Sequence, residues 1–216
     1  KYLLENEIDA IITTGPPHSL HLIGLALKST TGIPWVSDFR DPWTDIDYFH
    51  QLPLSKRALK KHHSFEQEVL QKSDAVVVVG KTMQENYLPY NKNTIVLSNG
   101  YDSELASIHT ALDKKFSLTH IGMMNEDRNP NLLWQALAEI SNEIKGFSED
   151  LEIQLIGKID SVVLQSIEKI GLSSSLKQIE YVPHSEVQTY QQKSQVLLLM
   201  VNNVPSAKGI VTGKIF

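Results

Sequence analysis

The chain has 216 residues, no cysteine and a formal net charge of −5 at pH 7, with 41% hydrophobic and 21% charged residues. This is globular composition with chain enough for one large or two small cores, and it excludes disulfides, thiolate metal sites and cysteine nucleophiles. The acidic balance argues against a general nucleic-acid binder, the histidines lack metal-ligand spacing, and the longest apolar runs, such as 196–201, are too short to span a bilayer. A secretory leader pattern is not visible at Lys1.

In chain order, an apolar run over 9–13 ends at Thr14-Gly15-Pro16-Pro17, and 18–30 carry apolar residues at Leu22, Ile23, Ala26 and Leu27. That pattern predicts strand, tight loop and helix, with Gly32 as the stop. A second strand over 35–39 runs into the charged, aromatic loop Arg40-Asp41-Pro42-Trp43-Thr44-Asp45. Ser55 is placed to cap a helix reaching about Lys72, and 74–79 read as a buried strand of the parallel-sheet type. A short helix ends before Pro89, and 94–98 form the next strand.

The stretch 95–128 joins two similar α/β halves. Each piece of it is an apolar strand ending in a polar or glycine-containing turn, the place where open α/β sheets bind ligands. After the join, strands are expected over 116–121, 151–156, 177–182 and, buried, 195–201. Helices are expected over 131–145, with Leu132, Leu133, Ala136, Leu137 and Ile140 on one face, over 161–170 closed by Gly171, and over 185–192. Trp134 and the Met123-Met124 pair read as core. Strict β/α alternation predicts two Rossmann-like, doubly wound parallel-sheet halves, both incomplete here. The divisions are 1–103, a linker over 104–114, and 115–216. A first strand within ten residues of the start, and a motif interrupted at Phe216, suggest an internal portion of a longer protein.

An ordered set of motifs resembles the retaining glycosyltransferases of family 4, the group 1 enzymes of GT-B architecture, in which two Rossmann-like domains face a cleft. The set is Thr14-Gly-Pro-Pro-His18-Ser19, Asp38-Phe-Arg-Asp-Pro-Trp-Thr44, Ser73-Asp74 before a valine strand, Ser98-Asn-Gly-Tyr-Asp102, His120-Ile-Gly122 with Arg128-Asn-Pro130, and Gly213-Lys-Ile-Phe216. The resemblance implies the later part of an acceptor-side domain followed by the earlier part of a nucleotide-sugar domain. The chain departs from the family's pattern at Gly209, where many members carry a glutamate, and at Met123-Met124, where an arginine is often found.

Candidate residues follow from chemistry and resemblance together. Arg128 stands at the mouth of a βα turn, with Asn129-Pro130 opening a helix; orphan helix N–H groups and a guanidinium fork suit a diphosphate. The alternative is a surface pair with Glu126 or Asp127. The resemblance places Lys214 near the donor phosphates, while a solvated lysine at a helix start is the plain alternative. Gly122 belongs to the same donor set. Asn99 and Asp102, in an Asn-Gly turn that needs no ligand to explain it, join that set through the resemblance, which puts this turn by the interdomain cleft. His18, after two prolines, and Asp41, in a charged loop beside Trp43, are the expected catalytic or acceptor-contacting residues. Arg40 is read as fixing that loop by pairing with Asp38 or Asp41. Lys56, Arg57, Lys60 and Lys61 oppose the dipole of the helix they open, which hints at an anionic lipid headgroup, against a plain solvated face.

The expected activity is that of a bacterial hexosyltransferase-type glycosyltransferase in cell-surface polysaccharide or glycolipid synthesis. It would move sugar with retention from a nucleotide-diphosphate sugar to a saccharide or lipid-linked saccharide, without a cofactor or metal. It would be cytoplasmic, with peripheral contact at the inner membrane face. The alternatives are a non-catalytic two-lobed nucleotide- or sugar-binding module and a GT-B sugar-nucleotide epimerase.

Overall fold

The computed structural model describes residues 2–46, 49–100, 110–201 and 207. The described chain falls into two compact units, residues 2–100 with 207, and 110–201.

The first unit runs α1 (Tyr2–Glu5), β1 (Ile11–Gly15), α2 (Leu20–Thr31), β2 (Trp35–Phe39), α3 (Lys56–Lys72), β3 (Ala75–Val78), α4 (Lys81–Tyr87) and β4 (Thr94–Val96). Its strands are parallel in the order β1-β2-β3-β4. Because every step advances the same way, right-handed crossovers put α2, α3 and α4 on one face. That face holds the core, with Trp35, Phe39, Val76 and Val78 packed against Val69 and Leu70 of α3 and Met83 and Tyr87 of α4. On the opposite face Ile12 and Ile95 are 69% and 51% exposed, beside the half-buried Val36 and Val77.

Local signals explain these elements. Gly32 ends α2 in the left-handed conformation, its N–H bonded to Lys28 O, and the Ser55 side chain caps α3 through Ala58 N–H. Ser73-Asp74 is structural: the Asp74 carboxylate accepts from Lys28 Nζ and from the Trp35 N–H, the latter at 2.7 Å, which hold its pKa below the usual range, and Ser73 bonds Ser37.

The second unit runs β5 (Phe116–Ile121), α5 (Asn131–Glu143), α6 (Phe147–Asp150), β6 (Leu151–Ile156), α7 (Ser161–Lys169), β7 (Leu176–Ile179), α8 (His184–Lys193) and β8 (Val196–Leu197). Its parallel order is β7-β6-β5-β8. The chain therefore advances outward from β5 to β7 and returns to the other side of β5, so the strand order reverses between β5 and β8. An apolar core of Leu118, Trp134, Leu137, Ile153, Leu155, Val163 and Ile167 fills the side of α5 and α7. The α8 side is polar and buried: the Ser194 hydroxyl bonds Thr119, and the Gln195 N–H bonds Ser117. Asp113 belongs with this unit, its N–H bonded to Lys193 O and its carboxylate to Gln154.

Three expectations are corrected. The buried strand over 195–201 is a two-residue edge strand, with Val196 and Leu197 37% and 52% exposed, because it pairs with β5 alone. Leu132 is 81% exposed: the bulky Trp134 turns α5 so that Trp134 and Leu137, one turn apart, face the sheet. Met123 is 57% exposed while Met124 is buried, because Met124 pairs with Ile159 and the turn sends its neighbour outward.

Two glycines lock the carboxyl ends of β5 and β6. Gly122 and Gly157 have φ of 121° and 112°, and a Cβ on Gly157 would stand 2.8 Å from Gly122 O. Strain and collision both oppose a side chain there. Gly157→Ala is expected to destabilise the second unit by about 1–3 kcal/mol in urea unfolding. Gly171→Ala, where φ is 83° in open space, should cost less, and equal losses would contradict the close contact.

Candidate functional site

In the first unit Gly15 pairs with Phe39 across β1 and β2, and Arg40 N–H donates to Gly15 O at 3.0 Å. The loops 15–19 and 40–46 thus leave the sheet side by side at the carboxyl ends of two parallel strands. This brings His18 and Asp41 together. His18 Nε2 lies 2.9 Å from Asp41 O; a carbonyl only accepts, so Nε2 carries a proton, and in the neutral ring Nδ1 is the acceptor. The imidazole stacks on Trp43, with centroids 5.5 Å apart and planes at 17°. Such a ring can accept from a ligand hydroxyl through Nδ1.

Trp43 is held from behind. Its backbone N–H and that of Thr44 donate to Glu66 Oε1 at 3.2 and 3.3 Å, and Tyr87 O–H donates to the same oxygen at 2.9 Å. The Thr44 hydroxyl donates to Oε2, and the Trp43 indole N–H to His62 Nδ1 at 3.1 Å. Burial, with the Glu66 charge beside it, pushes the Tyr87 phenol well above its ordinary pKa.

His21 is 0% exposed and stacks on Phe39 at 4.4 Å. Thr13 Oγ1 accepts the Trp35 indole N–H at 2.9 Å and lies 2.8 Å from His21 Nδ1. Thr13 Oγ1 thus joins the Trp35 indole and the His21 Nδ1 edge through one hydroxyl. Among the described residues His21 Nε2 has no hydrogen-bond partner, and a Cβ on Gly15 would come within 2.7 Å of it. Burial, then the neighbouring His18, lowers the His21 pKa from 6.5 to about 4. Gly24 admits this arrangement: a Cβ there would meet Trp35 Nε1 at 2.3 Å.

Asn99 is drawn into the same end of the sheet. Its Oδ1 accepts from Arg40, which ties the turn after β4 to the loop after β2; Arg40 fixes its loop through this amide.

In the second unit the reversal between β5 and β8 defines the crevice outside the strand ends at which open α/β sheets bind ligands. Gly122 stands at that end of β5, its N–H bonded to Ile156 O, and the Met124 N–H bonds Lys158 O. Arg128 is half-buried in a 3₁₀ turn, Glu126–Arg128, on the same β5–α5 loop. Asn129 is absorbed by packing, accepting the Trp134 indole N–H and donating to Ser166 of α7. His120 is buried between the carbonyls of Leu198 and Met123. Lys56, Arg57, Lys60 and Lys61 are exposed on the opening turns of α3. Asp102, Gly209 and Lys214 lie outside the described residues. Among the described residues no three His, Asp or Glu side chains are grouped to hold a metal, and no helix is long and apolar enough to cross a membrane.

No protein-family model matches the chain, and no curated protein sequence matches it. Solved structures do. The chain is similar to S. aureus TarM, as a mutant in complex with Fondaparinux, alpha-GlcNAc-glycerol and UDP, at a TM-score of 0.61 and 14% identity over 91% of this chain and 38% of that one. It is similar to the lipopolysaccharide outer core galactosyltransferase WaaB at 0.59 and 13%, over 96% and 54%. A structure described as a UDP-N-acetylglucosamine 2-epimerase of Listeria monocytogenes matches at 0.52 and 13%, over 91% and 53%. The two units carry the α/β fold of GT-B enzymes. The chain spans about 38–54% of the length of these structures.

The structure adds His21, Trp43 as the plate under His18, and Glu66 to the residues the sequence singles out. The signal for His21 was its spacing, one helical turn after His18 and so on the same face. For Glu66 it was a lone carboxylate inside the stripe Leu59, His62, Val69, Leu70.

A folded pKa below the unfolded one means that His21 contributes stability fully above pH 6.5, and that this is lost as pH falls toward 4. The loss is about 3 kcal/mol. Urea unfolding from pH 7 to 4.5 should show about 2 kcal/mol of this fall in excess of that of a His21→Gln variant; parallel curves would contradict it.

Proposed function

We propose that the chain is the core of a glycosyltransferase that moves a sugar, with retention, from a nucleotide-diphosphate sugar to a saccharide or lipid-linked saccharide in bacterial cell-surface polysaccharide or glycolipid synthesis. The observation that carries the reading is the reversal of strand order beside β5, with Gly122 and Arg128 on the loop that leaves it. Backbone N–H groups with a guanidinium suit a leaving diphosphate, whose charge grows as the sugar departs. Lys214, Asn99 and Asp102 complete the donor set in this reading. His18, accepting through Nδ1 of its neutral ring, and Asp41 contact the transferred sugar or the acceptor hydroxyl.

TarM's complex with UDP and a GlcNAc-glycerol, and WaaB's name as a galactosyltransferase, support this substrate class. The donor diphosphate is neutralised by protein groups, without a metal. The exposed Lys56, Arg57, Lys60 and Lys61 suit peripheral contact with an anionic leaflet from the cytoplasmic side. A sugar-nucleotide epimerase is the second reading, favoured by the Listeria structure; product analysis separates the two, because an epimerase releases an isomerised nucleotide sugar without any acceptor.

The test is calorimetric titration of the full-length protein with UDP-, GDP- and ADP-sugars. One nucleotide diphosphate should bind, and Arg128→Ala and Lys214→Ala should each weaken it by about 1.5–3 kcal/mol, as for a charge-assisted contact. A folded protein that binds none of them would sink the transferase reading. Transfer should also survive excess EDTA, and its loss with recovery on adding a divalent ion would overturn the metal-independent part.

A further inference from the structure

A cavity of about 380 Å³ opens in the first unit between α3, α4 and the 40–46 loop. Neither His18 nor Asp41 lines it. Its volume lies at the lower end of the roughly 300–1,000 Å³ spanned by small-molecule sites.

The lining narrows the ligand's chemistry. The floor is buried: the Leu70 side chain, the Tyr87 ring, and the Glu66 carboxylate already occupied by the donors of Trp43, Thr44 and Tyr87. Around it stand four exposed polar side chains, Asp45, Gln67, Asn86 and Tyr90. Among the described residues no lysine or arginine lines the cavity, and His63 is its one group able to become a cation. With two carboxylates present, a phosphate or nucleotide is repelled. Asp45 is the single carboxylate with acceptor capacity to spare, so a polycation finds one partner where it needs several. What remains is a neutral, hydroxyl-rich molecule. The amides of Gln67 and Asn86 each donate and accept, as neighbouring hydroxyls require, and Asp45 offers the stronger charge-assisted acceptor. The exposed Tyr90 ring supplies the apolar surface on which the C–H face of a pyranose lies, with the buried Tyr87 and Leu70 closing the floor behind it.

We infer that this cavity is a neutral-saccharide site, distinct from the junction of His18 with Asp41, sized for one or two sugar rings. Its back wall is the same Glu66 that fixes Trp43, so a sugar here rests on the far side of the loop that carries Asp41. The inference stands on the cavity alone and holds whichever way the donor titration turns out.

Saturation-transfer NMR on the protein with diacetylchitobiose, lactose and maltose tests it. At least one sugar should receive saturation, and Asn86→Ala and Tyr90→Ala should each weaken its binding roughly fivefold or more, as for one lost contact. Both side chains are exposed, and circular dichroism checks that the variants fold. UDP and spermidine should not displace the sugar. Absence of transfer to all three sugars would overturn the inference, as would transfer unchanged in both variants or displacement by UDP or spermidine.

Discussion

The first unit depends on one buried carboxylate. Desolvating a carboxylate costs several kcal/mol unless donors replace the lost water, and Glu66 meets that requirement from two directions, with Trp43 and Thr44 of one loop and Tyr87 of α4. A loop that would otherwise expose its backbone N–H groups to solvent is thereby pinned to α3. Everything at that end of the sheet inherits the arrangement: Trp43 presents its ring to His18, and Asp41, two residues earlier, presents its carbonyl to the same imidazole.

The two units solve one problem in different ways. Both must hold polar turns at the carboxyl ends of parallel strands. In the first, side chains do this, through Glu66, Arg40 with Asn99, and the Thr13 hydroxyl shared by Trp35 and His21. In the second, backbone does it, through paired glycines and main-chain bonds from Gly122 and Met124 to the neighbouring strand's exit. The glycine pair lets two strand exits approach more closely than any side chain would allow; a turn braced by imidazole and carboxylate offers directional partners to hydroxyls.

Most of the fold was legible in the sequence because its signals are local. Alternating apolar runs and helical stretches, Gly32 as a stop and Ser55 as a cap each act within a few residues. Errors arose where tertiary context overrode pattern. The run 195–201 is apolar enough for a central strand, yet its place at the edge of the sheet leaves it half open. Leu132 fits a helical stripe, but Trp134 sets which stripe turns inward. Of the candidate site, the sequence marks His18 and Asp41 as loop residues beside aromatics. Their junction through a backbone carbonyl carries no side-chain signature, and the cavity beside α3 arises from residues spread over 44–90, which no spacing rule connects.

The stack of His18 on Trp43 has an optical consequence. Indole emission is sensitive to an imidazole on its face, because the ring can accept an excited electron once it is protonated or polarised. Trp43 is one of three tryptophans, and the other two, Trp35 and Trp134, are sealed in the two cores at 0% exposure. The chain thus carries a native fluorophore stacked on His18, and the colour and yield of its light report on that imidazole without any label being attached.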